Sequence, residues 1–271
     1  LFSVGPDHTG RAIKRAFRPG FMKKVSRTSV LSHYGLTTLL YGTLLPGPDI
    51  GRRCADILHA VRTAGFDTGI HCWDHVKWQD GVTTASSAWT NLQMGLAADR
   101  YEFIFGKRPH CSGAAGWQMN AQALRMSQRL GFRYASDCRG TGPFIPIWNG
   151  EIVLCPQLPT TLPTLDELIG LDGATEDNVH ERLAALTAEP RDQVFTLHAE
   201  LEGMKLLPVL ERLLTAWQDQ GYELVSLATM AAELDLEALP RCEMIRGEIP
   251  GRSGTLMLQG PEFLADLKNA A

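Results

Sequence analysis

Three short stretches of this chain that read as buried strands each end on a polar residue suited to catalysis. Residues 66–70 run into His71, residues 132–136 into Asp137, and residues 193–197 into His198. A strand buried on both faces does not alternate polar with apolar, so continuous runs of this length read as strands of a parallel sheet. Between them lie helical patterns, and strands alternating with helices predict β/α units. In such folds the chemistry collects at the C-terminal ends of the strands. If the sheet closes into a barrel, His71, Asp137 and His198 meet at one mouth.

The helical segments carry their own punctuation. Ile57, Leu58 and Val61 mark a helix over 54–63 that stops at Gly65; Trp89, Leu92, Leu96, Tyr101 and Ile104 mark one that stops at Gly106. Asn120 caps a helix that ends at Gly131, and Ser226 caps 227–234. Another starts at Thr175, and 206–217 holds Pro208 in its first turn. Residues 1–4 and 222–225 read as further strands. The Pro- and Gly-rich stretch 141–174, with a short strand at 151–154, reads as a binding loop. The chain opens within a strand, so an upstream first strand is expected. The organisation predicted is one α/β domain over 1–240, with a basic insertion at about 8–50 and a C-terminal tail over 241–271.

Composition narrows the classes. The net charge of −4 argues against nucleic acid as a partner. Six cysteines without Cys-x-x-Cys spacing read as reduced thiols, which favours the cytoplasm. No apolar run is long enough for a spanning helix. The stretch 8–48 stands apart. It holds Arg11, Lys14, Arg15, Arg18, Lys23, Lys24 and Arg27, no Asp or Glu, and apolar residues such as Phe17, Phe21, Leu39 and Tyr41. Arg15, Lys23 and Lys24 are therefore expected to face an anionic membrane surface.

His71 and His75 stand four apart, a spacing that lets two imidazoles grip one divalent ion. Zn²⁺ suits them best, with Co²⁺ or Mn²⁺ as alternatives, and a third ligand is still required. Such an ion would activate water and polarise an amide carbonyl. The departing amine needs a proton, which His198 is suited to give, with a carboxylate such as Asp137 to orient it.

The wording of the motifs adds to this. Phe2-Ser3-Val4-Gly5-Pro6-Asp7, His71-Cys72-Trp73-Asp74-His75, Ala114-Ala115-Gly116-Trp117, Ser136-Asp137-Cys138-Arg139-Gly140, Leu162-Pro163-Thr164 and Thr196-Leu197-His198-Ala199-Glu200 occur in this order. Together they resemble the polysaccharide-deacetylase (NodB-homology, carbohydrate esterase family 4) superfamily. Within it they are most similar to the 4-deoxy-4-formamido-L-arabinose-phosphoundecaprenol deformylases. The resemblance implies a distorted (β/α)7 barrel with a metal held by His71 and His75, His198 as general acid and Asp137 as its partner. It implies Trp117 in the substrate pocket and a polyprenyl-phosphate-linked amino sugar as substrate. The reaction would release formate on the way to cationic decoration of lipid A, at the cytoplasmic face of the bacterial inner membrane.

Two departures accompany the likeness. The superfamily's Asp-x-Asp, which supplies the base and a third ligand, is expected upstream of Leu1; Asp67, Asp74 and Asp80 are the available substitutes. The Arg of its third motif is replaced by Gln118. Arg139 takes over that role or binds the substrate phosphate. Glu200 and Glu202 are candidates for a sugar hydroxyl or the product amine. Rival readings are a deacetylase of the same superfamily with another carbohydrate, and a non-catalytic module that binds a lipid-linked sugar.

Overall fold

The computed structural model describes residues 1–17, 35 and 37–265. Lys23 and Lys24 lie outside them. Four strands form a parallel sheet in the order β1 (Phe2–Ser3), β2 (Ile70–Cys72), β3 (Cys111–Ser112) and β4 (Tyr134–Ala135). Ile70, Cys72, Cys111, Tyr134 and Ala135 are all buried, which is why these strands show no alternation in sequence. Helices Ala55–Thr63, Ser87–Phe105 and Ala121–Arg129 lead into β2, β3 and β4. Their ends follow the punctuation: Asn120 Oδ1 accepts from Ala123 N–H, and Gly106 closes its helix in the left-handed region.

Beyond β4 the wall continues through single parallel bridges, Ala135 with Gln157 and Arg139 with Thr160. Thr161 and Leu162 N–H both donate to Val194 C=O. The run 193–198 is thus extended wall, but no ladder forms there, nor at 222–225. Leu197, Leu224 and Val225 are half exposed, so these runs have solvent on one side where a central strand has a partner. The result is a barrel-type α/β fold whose wall is regular on the β1–β4 side.

A second sheet has the order β6 (Glu151–Ile152), β5 (Ile145–Trp148), β7 (Arg241–Gly247), β8 (Leu256–Glu262). The β5–β6 hairpin turns at Asn149 (φ 50°) and Gly150 (φ 80°), the positive-φ pair that a tight hairpin requires. The short strand expected at 151–154 is thus present as β6, and β5 adds a second strand inside the stretch 141–174. The segment from Arg241 is no tail. β7 pairs parallel with β5 and antiparallel with β8, and Cys242, Leu256 and Met257 are buried. Arg139 N–H donates to Met257 C=O and Arg139 C=O accepts from Gln259 N–H, stitching the two sheets together. The main core therefore joins both ends of the chain, with Val4, Ile70, Tyr101, Phe132, Phe144 and Met257 in one cluster.

Arg15 lies in the 3-10 turn Thr9–Phe17, its side chain 14% exposed, and its Nε–H donates to Asp80 Oδ1 at 2.9 Å. This contact lays it against the helix His75–Gly81.

Candidate active site

β2 ends in the polar run that carries the histidines. His71 is its middle residue. Asp74 caps the helix His75–Gly81, accepting from Lys77 N–H at 3.0 Å, and it also bonds His8 Nδ1 at 2.6 Å. The His71 and His75 rings lie 5.1 Å apart. His71 Nδ1 bonds Gly113 C=O at 2.7 Å, so Nδ1 carries the hydrogen and Nε2 keeps its lone pair. Metal-binding histidines are oriented in this way by a backbone carbonyl. Burial holds His71 down at about 4, against that hydrogen bond. Burial, then the charges of His71, Arg15, His198 and Arg252, hold His75 well below the usual histidine range. Both rings are neutral near pH 7, the form that ligates a metal. The pair fits two positions of a divalent ion.

No carboxylate joins the pair among the described residues whose contacts are resolved. Asp74 is the helix cap, and Asp80 accepts from Arg15. Asp67 lies at the opposite, N-terminal ends of the strands. There it bonds His110 Nε2 at 2.8 Å and accepts from Tyr134 Oη–H. Despite partial burial, these bonds hold its carboxyl at about 2. Asp67, His110 and Cys111 group their ligand atoms within 4.8 Å, a second possible metal triad remote from His71.

His198 ends the extended run 193–198 and caps the short helix Ala199–Glu202. Its ring Nδ1 is buried with no hydrogen-bond partner among the described residues. It lies within electrostatic reach of both His71 and His75. Glu202 Oε2 accepts from His198 N–H at 2.8 Å, and Glu202 Oε1 is also buried without a partner. Asp137, at the end of β4, lines a small cavity with His71, Ser112, Gly113 and Met119. Its carboxylate accepts from Gln157 Nε2 at 3.1 Å and from Ala114 N–H, while burial pushes it up to about 6. The structure thus sets Asp137 beside His71 and sets Glu202 beside His198. Glu200 stands on the same short helix, partly buried and already engaged.

Trp117 closes the other side. It is buried at φ 53°, following Gly116 at φ 63°. A tryptophan held in the left-handed region costs on the order of 1–3 kcal/mol, strain that clusters at functional sites. The guanidinium groups of Arg139 and Arg252 lie 5.0 Å and 4.5 Å from its ring centroid. Its Nε1–H donates to Thr160 Oγ1, which bonds Thr196 Oγ1 at 2.6 Å. Glu167 Oε1 lies 2.8 Å from Arg139 Nη1 and 3.0 Å from Arg252 Nη1. Arg139 also donates to Thr160 and Leu162 carbonyls. Its guanidinium braces Trp117. Gln118 Oε1, where the resemblance has an Arg, accepts from Arg246 Nη1 at 3.2 Å.

Curated proteins supply the deciding comparison. A protein from Shewanella sediminis is 38% identical over 259 residues, covering 96% of this chain and 83% of its own length. It carries the name 4-deoxy-4-formamido-L-arabinose-phosphoundecaprenol deformylase ArnD. The chain belongs to the ArnD deformylase family. An ArnD from Wigglesworthia glossinidia brevipalpis is 29% identical over 260 residues, covering 96% of this chain and 90% of its own. No protein-family model matches.

Solved structures agree on the fold. A Mycobacterium smegmatis protein described as a polysaccharide deacetylase matches with a TM-score of 0.58 at 17% identity, over 89% of each chain. The PuuE allantoinase matches at 0.54 and 16%, over 82% of this chain and 74% of its own. Membership in the ArnD family makes this chain an amide hydrolase by class. Two residues packed around Trp117, Glu167 and Arg252, were not singled out from the sequence. Glu167 sits in the capping box with Thr164, a local signal that hides its second use. Arg252 lies in a Gly-rich loop, where no periodicity assigns a side chain to any face.

Proposed function

We propose that this protein removes the formyl group from a polyprenyl-phosphate-linked 4-deoxy-4-formamido-L-arabinose, releasing formate and a free sugar amine. The observation that carries the reading is the half-buried pair His71 and His75, rings 5.1 Å apart and within electrostatic reach of His198, in a chain of this deformylase family. His71 and His75 hold a divalent ion, best Zn²⁺, with Co²⁺ or Mn²⁺ as alternatives. When bound, the ion lowers the pKa of water and polarises the formyl oxygen. His198 gives its proton to the sugar nitrogen as the C–N bond breaks. Glu202, beside it, supports the cationic form of the imidazole. Asp137, titrating near 6 beside His71, is placed to take or return a proton within the neutral range. Trp117 gives the sugar an apolar wall.

The lipid tail implies a membrane site of action. Ile13 and Leu44 are highly exposed at the two described ends of the basic segment, as expected of a surface that meets acyl chains beside head groups. Among the described residues no helix is long and apolar enough to cross a membrane. Peripheral attachment to the cytoplasmic leaflet, through Lys23, Lys24 and their apolar neighbours, fits these facts. Release of formate from the lipid-linked formamido sugar, measured with metal-loaded and chelated protein, tests the reading. Formate is expected only with metal. Formate production that survives chelation would reject the metal-dependent mechanism, and its absence in both would reject the substrate.

A further inference from the structure

At the N-terminal ends of the parallel strands, three side chains of different chemistry lie together. Asp67 precedes β2, His110 precedes β3, and Cys111 opens β3. His110 Nε2 lies 2.8 Å from Asp67 Oδ1, and Cys111 Sγ lies 3.9 Å from Asp67 Oδ2. One nitrogen, one sulfur and one oxygen thus fall within 4.8 Å of one another. Cys111 is buried and forms the floor, while the Asp67 and His110 side chains are each 21% exposed, which leaves a way in from solvent. The surrounding backbone makes room for the sulfur. A Cβ on Gly69 would stand 2.4 Å from Cys111 Sγ, so glycine is what this close approach requires. Tyr134, the first residue of β4, donates through Oη–H to Asp67 Oδ2 and fixes the carboxylate.

We propose that Asp67, His110 and Cys111 form a second divalent-ion site, for Zn²⁺, that joins the approaches to β2 and β3, with Tyr134 positioning the carboxylate. Imidazole, thiolate and carboxylate are the ligand types zinc takes, whereas Mg²⁺ and Ca²⁺ take oxygen. At zinc's bond lengths, ligand atoms around a tetrahedral ion stand about 3.3–3.6 Å apart. The separations of 2.8 Å and 3.9 Å straddle that range, so small side-chain rotations bring the three atoms to one ion. The ion replaces the Cys111 thiol proton, which leaves to solvent. His110 binds through Nε2 with its hydrogen on Nδ1, and water completes the shell. The Cys111 thiolate and the Asp67 carboxylate match the two charges of the ion, so no uncompensated charge is buried. The site stands at the other end of the strands from His71, and it does not depend on the reaction assigned there.

Full-length protein, stripped of metal and titrated with Co²⁺, tests the site. A thiolate ligand gives Co²⁺ a near-ultraviolet charge-transfer band that imidazole and carboxylate ligands do not. The band is expected in wild type and in His71→Ala, and is lost in Cys111→Ser. His110→Ala needs at least tenfold more Co²⁺ to develop it. Tyr134→Phe weakens binding by about 10–100-fold, the usual cost of losing the partner that orients a metal ligand, and keeps the band itself. Zn²⁺ raises the melting temperature of His71→Ala, because an ion held by the folded state stabilises it, and the rise disappears when Cys111→Ser is added. No band in wild type overturns the site. So does a band that survives in Cys111→Ser but is lost in His71→Ala, which would put the thiolate at Cys72. Should Cys111→Ser not fold, His110→Ala, whose ring is partly exposed, carries the result, and unchanged Co²⁺ affinity there overturns the site.

Discussion

His198→Ala is expected to keep its metal and lose about 10²–10⁴ in kcat, the usual worth of a positioned acid. His71→Ala is expected to lose metal and activity together. Metal analysis with formate release separates the two, and retention of both properties by either variant would reject its role. Asp137 adds a pH effect. Its carboxyl titrates near 6 when folded against 3.8 unfolded, so the folded state holds the proton more tightly. Its contribution to stability is complete below about pH 4 and is lost as pH rises through 6, about 3 kcal/mol at 1.36 kcal/mol per unit. Asp137→Asn should therefore raise stability at pH 8 and change little at pH 4. Denaturant unfolding at both values checks this; equal effects at the two would mean Asp137 is not held protonated. His71, His198 and Asp137 were singled out in the sequence because each follows a run that reads as a strand, and His75 because it stands four residues after His71. Arg252 was not, because its partners Trp117 and Glu167 lie in other elements.

At the scale of elements, the pairing of Glu167 with two arginines is the most consequential. Glu167 is buried, and removing one partner of a buried ion pair typically costs about 3–5 kcal/mol. Glu167→Ala strands both Arg139 and Arg252 and should lower the melting temperature markedly, while Glu167→Gln, which keeps hydrogen-bond acceptance, should cost less. Similar losses from both would mean that charge plays no part. Helices were read well because caps and stops are local: Asn120, Ser226 and Gly106 each act within four residues of themselves. Strands were read less well. Residues 193–198 and 222–225 have strand-like composition, yet a strand needs a partner, and pairing is set at long range. The β5–β6 hairpin was present in the sequence as Asn149-Gly150, a signal that the abundance of Pro and Gly around it concealed.

For the whole molecule, the segment from Arg241 decides between a tail and a structural element. Cys242, Met244, Leu256 and Met257 are all buried, at roughly 1.5–3 kcal/mol for each large apolar side chain. Their loss rivals a typical total stability of about 5–15 kcal/mol. A chain ending at Pro240 is thus expected not to fold, as read by circular dichroism; a native, cooperative melt would show that the second sheet is dispensable. Lys23→Gln with Lys24→Gln should weaken binding to anionic vesicles by about 30-fold at low salt, at roughly 1 kcal/mol per charge, and high salt should erase the difference. Equal binding at low salt would remove these lysines from the membrane contact. The sequence by itself determined the α/β class, the helix boundaries and the polar residues that follow strands, because spacing and capping are properties of neighbours in the chain. The tertiary structure alone decided that Arg15 lies against the helix His75–Gly81, that Arg139 braces a tryptophan, and that the last strands return to the core with Arg252. Those outcomes depend on which distant backbone lies alongside, and a side chain's partner across the fold leaves no periodic trace in its own segment.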